Sequence, residues 1–112
     1  MKTVTTATQA KVLARFFRVL GDPTRLALIR ELEGGERSVG ELVAAVGQSQ
    51  PRVSTHLACL RHCGFAIAER RGKEVVYRLV VGLEDLLGEA DRRADPLAER
   101  LSSCSRIGPD WM

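Results

Sequence analysis

Apolar side chains recur at helical spacing in five stretches of the chain. The first predicted helix runs from Gln9 to Leu20 and ends at Gly21. Asp22-Pro23 then gives an N-cap followed by proline at the first helical position. This second helix ends at Gly34-Gly35. Its buried side is formed by Leu26, Leu28, Ile29 and Leu32.

Two further helices are marked by their capping residues. Ser38–Val46 opens with a capping box, because Glu41 stands three residues after the serine and can reach back to it. Ser49–Cys63 follows after Gly47, and Gly64 suits the position just past its C-terminus. Two capped helices joined by a tight glycine-containing turn predict a helix-turn-helix.

A β-hairpin is predicted directly after these helices. Strands over Phe65–Arg70 and Glu74–Leu79 flank the basic tip Arg71-Gly72-Lys73, which is the arrangement of a wing. A last helix follows with Leu83, Leu86, Leu87 and Ala90 on one side, and Asp95-Pro96 either kinks it or starts a new helix. The predicted fold is therefore mainly α with a β-hairpin wing, a winged helix-turn-helix.

The 112 residues amount to one domain, and a hydrophobic fraction of 45% predicts that it folds. We expect a flexible N-terminus at residues 1–8 and the winged domain with its flanking helices at 9–101. Residues 102–112 would form a C-terminal tail that carries Cys104. A chain of this size buries a modest core and often completes it by dimerising.

Charge is distributed unevenly along the chain, although the net charge is only +3. Between Gln48 and Lys73 there are five arginines and lysines against one acid, whereas Gly82–Met112 has four arginines against seven acids. No apolar run reaches 18 residues and no secretory signal is present, so neither a membrane location nor export is expected. We expect a cytoplasmic protein with reduced thiols, in which cysteines are metal ligands, reactive groups or core residues.

The basic segment has the composition of a DNA-reading element. A helix that enters the major groove needs polar and basic side chains on its first turns, and a basic wing can reach phosphates or the minor groove. An ordinary solvated surface is the alternative, but the order of capped helices, polar helix and basic hairpin favours DNA. The candidate contacts with double-stranded DNA are Gln48, Ser49, Gln50, Arg52, Ser54, Thr55, His56, Arg70, Arg71 and Lys73.

Four segments in order resemble the ArsR/SmtB family of metal-responsive repressors. They are Leu20–Ile29 (LGDPTRLALI), Val39–Leu42 (VGEL), Val53–Leu57 (VSTHL) and Arg70–Leu79 (RRGKEVVYRL). The resemblance covers roughly Val12 to Leu101. It implies a homodimer held by the first and last helices, bound to an inverted-repeat operator and released from it by a metal ion.

Cys59 and Cys63 lie four residues apart on the second helix of the helix-turn-helix, about 40° apart around its axis and about 6 Å apart along it. Their sulfurs can converge on one ion at about 2.3–2.6 Å, whereas a disulfide is disfavoured because helical Cβ vectors run nearly parallel. As an alternative, both are small core residues. That alternative is weaker for Cys104, which lies in a polar, serine-rich tail.

Within the family, Leu57–Gly64 (LACLRHCG) is similar to the cysteine motif of the cadmium- and lead-sensing, CmtR-like branch. This resemblance implies Cys59 and Cys63 from one chain and Cys104 from its partner as metal ligands. Three thiolates favour a soft heavy-metal ion as inducer: cadmium or lead first, mercury second and arsenic third. Zinc would need a fourth ligand, and copper(I) is not excluded as the inducer. His62 is expected to be an exposed helix residue.

Other functional classes are less well supported by the sequence. A thiol-redox repressor without metal is the main alternative, and it needs a cysteine with a depressed pKa, which Arg61 and His62 could provide. We find no nucleophile–base constellation, phosphate-binding loop or HExxH motif, so an enzyme is not expected. No motif suggests an organic cofactor.

Overall fold

A computed structural model describes residues 6–107 of the chain. These residues form two compact units, one up to Leu79 and one from Val80 onward, where the sequence suggests a single domain over 9–101. The first helix begins at Thr6, three residues before the predicted start. Residues 1–5 and 108–112, which belong to the predicted flexible N-terminus and the tail, lie outside the described range.

The described part of the first unit contains four helices and a small sheet. The elements are α1 Thr6–Leu20, α2 Pro23–Leu32, β1 Arg37–Ser38, α3 Val39–Val46, α4 Gln50–His62, β2 Ala66–Arg71 and β3 Glu74–Leu79. The strands are antiparallel in the order β1-β3-β2. This arrangement is the winged helix-turn-helix that the pattern predicts, with one addition. β1 was not predicted, because two residues are too short to show an alternation.

Local capping fixes where α2, α3 and α4 begin. The Asp22 side chain accepts a hydrogen bond from the Arg25 N–H at 3.0 Å. Ser38 and Glu41 form the complete predicted capping box, and the Ser49 hydroxyl accepts from the Arg52 N–H at 3.3 Å. Each cap satisfies an N–H group that the helix itself leaves without a partner. The three predicted N-caps are thereby confirmed.

The core of the first unit lies where α2, α3 and α4 pack together. Its members are fully buried aliphatic side chains contributed by all three helices, so α4 has a fixed position against the other two. They are Leu28, Ile29, Leu32, Leu42, Val53, Leu57 and Leu60.

The wing is a tight hairpin with a two-residue loop. Arg71 pairs with Glu74 as the last pair of the ladder, so Gly72 and Lys73 alone make the turn. Gly72 has a φ of +62°, a left-handed conformation that a β-branched or bulky residue would adopt only under strain. Strand β2 is shifted by one residue from the prediction, because it begins at Ala66 instead of Phe65 and includes Arg71.

The second unit contains short helices. They are α5 Leu83–Ala94, a 3₁₀ turn Asp95–Leu97, α6 Ala98–Ser103 and a second 3₁₀ turn Ser105–Ile107. The sequence left open whether Asp95-Pro96 kinks the helix or starts another, and the structure shows a break followed by a new helix. None of the helices described in residues 6–107 is long and apolar enough to cross a membrane.

Candidate nucleic-acid interface and thiol cleft

The first two turns of α4 present polar side chains on the surface. Gln50, Arg52, Ser54 and Thr55 are exposed, whereas Val53 faces the core and is fully buried. Helical periodicity explains this division, because residues three to four apart share a face. Most of the side chains predicted to reach DNA from α4 therefore lie on one exposed surface, together with Ser49 at the N-cap.

Gln48 has a different environment from the other predicted contacts. It is half-buried, and its amide Nε2 donates to the Thr24 hydroxyl at 3.0 Å. Its Oε1 accepts from Arg52 Nε at 2.6 Å. Gln48 therefore links α2 to the exposed Arg52 and orients that guanidinium. No local pattern in the sequence indicates this role, because Thr24 lies 24 residues away.

His56 was predicted to face DNA, but the structure places its ring against the start of α2. Its side chain is only 15% exposed. The ring Nδ1 lies 3.4 Å from Arg25 Nη1 and 3.9 Å from Asp22 Oδ1. Burial raises the pKa of Asp22, but the Arg25 N–H and the charges of His56 and Arg25 lower it more, leaving a net decrease. His56 is thus a contact between α2 and α4.

The wing carries three exposed cationic side chains, and in the described part of the chain only one of them is paired with carboxylates. Arg71 forms an ion pair with Glu36, and its Nη2 also donates to Glu69 Oε2 at 3.0 Å. These carboxylates raise the pKa of Arg71, and the hydrogen bond from Arg71 lowers the pKa of Glu36. Within residues 6–107, no acidic side chain pairs with Arg70 or Lys73. Among the described residues, the unpaired positive charge of the wing is therefore on Arg70 and Lys73.

Cys59 and Cys63 lie on one face at the end of α4, as their spacing predicts. The Cys63 N–H donates to the Cys59 carbonyl at 3.0 Å, which carries helical geometry through both residues. Cys59 is half-buried and Cys63 is exposed. Burial raises the pKa of the Cys59 thiol, and the neighbouring Cys63 thiol raises it further. The structure brings these two sulfurs together beside one cleft.

The cleft lies between α1 and the end of α4 and has a volume of about 490 Å³. Phe16 of α1 packs on Phe65, which follows α4, with ring centroids 4.9 Å apart. The cleft is lined by apolar, cationic and thiol side chains: Val12, Phe16, Val19 and Phe65; Arg15, Arg18 and Arg25; Cys59 and Cys63. The sequence did not reveal this cleft, because α1 and α4 meet only through the tertiary fold.

The third predicted ligand, Cys104, lies in the second unit directly after α6 and is half-buried. Among the described residues of one chain, no three histidine, cysteine or acidic side chains form a group that could hold a metal ion. His62 is exposed, as predicted. The structure therefore assembles two of the three predicted sulfur ligands within one chain.

Comparison with known proteins agrees with this architecture. The model of the family described as bacterial regulatory protein, arsR family, matches residues 22–68. A probable mercury resistance operon repressor from Streptomyces lividans is 46% identical over 103 residues, which are 89% of this chain and 81% of that protein. The transcriptional regulator CmtR from Mycobacterium tuberculosis is 43% identical over 67 residues, 60% of this chain and 57% of CmtR.

Solved structures show the same fold. M. tuberculosis Rv0081 superposes with a TM-score of 0.76 at 32% identity, over 83% of this chain and 96% of that one. The homodimeric winged helix-turn-helix DNA-binding domain of Mycobacterium bovis Mb0332 gives 0.73 at 26% identity, over 85% and 91%. The chain belongs to the arsR family of bacterial regulatory proteins, which are metal-responsive winged helix-turn-helix transcriptional repressors and not enzymes.

Proposed function

We propose that this protein represses transcription as a homodimer bound to operator DNA and leaves the DNA when a soft heavy-metal ion binds. Cys59 and Cys63 of one chain and Cys104 of its partner would be the ligands. The observation that carries the proposal is the thiol pair at the end of the same helix whose first turns expose the DNA-reading side chains.

The DNA-binding part of the proposal rests on α4 and the wing. Ser49, Gln50, Arg52, Ser54 and Thr55 offer hydrogen-bonding and cationic groups of the kind that read base edges and phosphates. α4 packs firmly on α2 and α3, so these groups are presented from a rigid element. The wing adds positive charge beside them.

Removing two unpaired wing charges should weaken DNA binding more than removing the paired one. For R70Q/K73Q we expect the slope of log affinity against log salt to fall by about four, because a dimer has two wings and each of the four lost phosphate contacts releases about one counterion. R71Q should change the slope less, since Glu36 and Glu69 already neutralise Arg71. Fluorescence anisotropy with labelled operator at several salt concentrations measures both. A larger effect for R71Q would contradict this assignment of the wing.

The homodimer is supported by apolar surface on α1. Leu13 and Phe17 are each more than half exposed, at 55% and 53%, and neither lines the thiol cleft. In the second unit, Leu97 and Leu101 are each 45% exposed. Burial of such side chains against a second copy would stabilise a dimer.

The metal-binding part of the proposal rests on the chemistry of the donors. Two thiols one helical turn apart, without a carboxylate or imidazole among the cleft-lining side chains, fit a soft cation better than zinc or magnesium. A soft cation supplies strong bonds to thiolates and displaces their protons. The alignment with the Streptomyces mercury resistance repressor covers more of this chain than the alignment with CmtR does. We therefore rank mercury above cadmium and lead as the inducing ion. Arsenic stays behind these three.

The chain's own geometry suggests how the thiols could control DNA binding. Arg52 lies on the first turn of the 13-residue helix α4 and Cys63 is its C-cap, so displacement of one end also moves the other. When Cys104 of the partner joins Cys59 and Cys63, the partner chain would become tethered to the end of α4. That restraint would favour a dimer geometry that fits two operator half-sites poorly.

A direct test titrates the complex of protein and promoter DNA with Hg(II), Cd(II), Pb(II), As(III) and Zn(II). Operator release is followed by anisotropy, and metal–thiolate bonds by ultraviolet absorbance. We expect release at one ion per three-cysteine site, with a coupling of about 1–3 kcal/mol, and weaker release by zinc. Absence of a charge-transfer band with every soft ion would reject the metal-sensing function.

A thiol-redox switch is the second candidate, and the environment of Cys59 argues against it. Redox-sensing cysteines are low-pKa thiolates, whereas burial and the neighbouring thiol raise the pKa of Cys59. Arg25 acts in the opposite direction but more weakly. Operator release by peroxide in the absence of metal would favour the redox function instead.

A further inference from the structure

The cleft beside the cysteine pair is far larger than a metal ion needs. Its volume of about 490 Å³ lies in the range of sites for small organic molecules. An ion bonded to sulfur at about 2.3–2.6 Å occupies only a small part of that space. Three arginines line the cleft with Cys59 and Cys63, and none of the described residues that line it is acidic. Size and charge both indicate an anionic ligand that is larger than the ion.

We propose that the cleft receives the soft metal as a complex with a small thiol that carries carboxylate groups. Arg15 and Arg18 bind the carboxylates while Cys59 and Cys63 take the metal from the carrier's sulfur. The inference rests on the proposed metal-sensing function. A soft ion prefers thiolate to carboxylate, so the carrier's sulfur holds the metal and its carboxylates stay free for the guanidinium groups.

The three arginine side chains differ in how firmly they are held in place. The Arg25 guanidinium is fixed, because its Nε donates to the Val19 carbonyl at 2.8 Å and its Nη2 to the Arg18 carbonyl at 3.2 Å. Arg15 and Arg18 are exposed, stand three residues apart on one side of α1, and form no ion pair within residues 6–107. They therefore can turn toward a carboxylate, while Arg25 contributes a stationary positive charge.

The transfer is a ligand exchange and needs no oxidant or reductant. Each step forms one bond between the metal and a protein sulfur and breaks one bond between the metal and a carrier sulfur. The leaving carrier thiolate keeps its electron pair and takes up the proton that the cysteine gives up. Two such steps, at Cys59 and at Cys63, free both thiols of a bis-thiolate complex.

The test compares two thiol carriers of similar size, one anionic and one neutral. Protein is mixed rapidly with the Hg(II) bis-complex of 3-mercaptopropionate, which is anionic, or of 3-mercapto-1-propanol, which is neutral. Native mass spectrometry counts the mercury bound per chain over time. We expect R15Q/R18Q to slow loading from the anionic carrier about tenfold or more at low salt and to leave the neutral carrier unaffected. High salt should remove most of the difference in the unmodified protein.

R70Q/K73Q is the matched control, because it removes the same number of charges from the wing and leaves the cleft intact. Its loading rates should match those of the unmodified protein for both carriers. If R15Q/R18Q slowed both carriers equally, or slowed neither, the carrier proposal would be overturned. If neither carrier transferred mercury to Cys59 and Cys63, the proposed metal-sensing function would fail instead, so the two failures are distinguishable.

Discussion

Replacing Cys59 and Cys63 together by serine is expected to leave a repressor that binds its operator but ignores soft metals. Serine keeps the size of cysteine but offers no soft donor atom, so two of three ligands are lost. The fold should tolerate the change within about 1 kcal/mol, because Cys63 is exposed and Cys59 only half-buried. Anisotropy of labelled operator with and without Hg(II) measures the metal response. In the unmodified protein Hg(II) should lower operator affinity by a factor of about 5–150, and in C59S/C63S this effect should be absent.

Ala58→Ser is the matched control, since it adds a hydroxyl on the same turn of α4 at a residue that does not line the cleft. This variant should respond to metal as the unmodified protein does. If C59S/C63S were still released by Hg(II) to the same degree, the ligands would lie elsewhere and the site would be wrong.

A mixed dimer can show whether Cys104 acts across the protomers. In a dimer of one C59S/C63S chain with one C104S chain, a shared site is complete once, because one chain supplies the pair and the other the third thiol. A site confined to one chain is complete in neither. Mass spectrometry of the purified heterodimer at a fixed metal concentration separates the two arrangements, because a shared site binds one ion and a site confined to one chain binds none.

The parts of the fold that the sequence predicted are those fixed by neighbouring residues. The starts of α2, α3 and α4 depend on Asp22, Ser38 and Ser49, each of which bonds to an N–H three residues on. The wing follows from two strands around a glycine turn. β1 escaped prediction because its two residues exist as a strand only through pairing with Tyr77 and Val76 of β3.

The candidate site also has one part that local sequence predicts and one part that depends on tertiary contacts. The Cys59 and Cys63 pair follows from helical spacing alone, and the structure places both sulfurs beside one cleft. The roles of Gln48 and His56 depend on Thr24, Asp22 and Arg25, which lie 24 to 34 residues away in the sequence and become neighbours only when α2 packs against α4. Both residues have polar side chains of the kind that contact DNA, and composition alone could not predict that they pack against the start of α2.

Leu57→Ala on α4 is expected to cause a large loss of stability. Leu57 is fully buried, and it lies on the inner side of the helix whose outer side carries the proposed DNA contacts. Truncation to alanine removes the buried side chain and leaves a cavity, at a cost of about 2–5 kcal/mol. That is a large share of the roughly 5–15 kcal/mol that stabilises a domain. Urea unfolding at fixed protein concentration measures the difference, since a dimer's stability depends on concentration.

Val81→Ala is the control for this measurement, because Val81 is fully exposed and its truncation should change the free energy of unfolding by no more than about 0.5 kcal/mol. The position of α4 depends on Leu57, together with Val53 and Leu60, and so does the surface offered to DNA. We therefore expect Leu57→Ala to weaken operator binding even where the protein is still folded. A stability loss no greater than that of Val81→Ala would show that α4 is not held by this core, and the rigid link between the thiol pair and the DNA-reading turns would lose its basis.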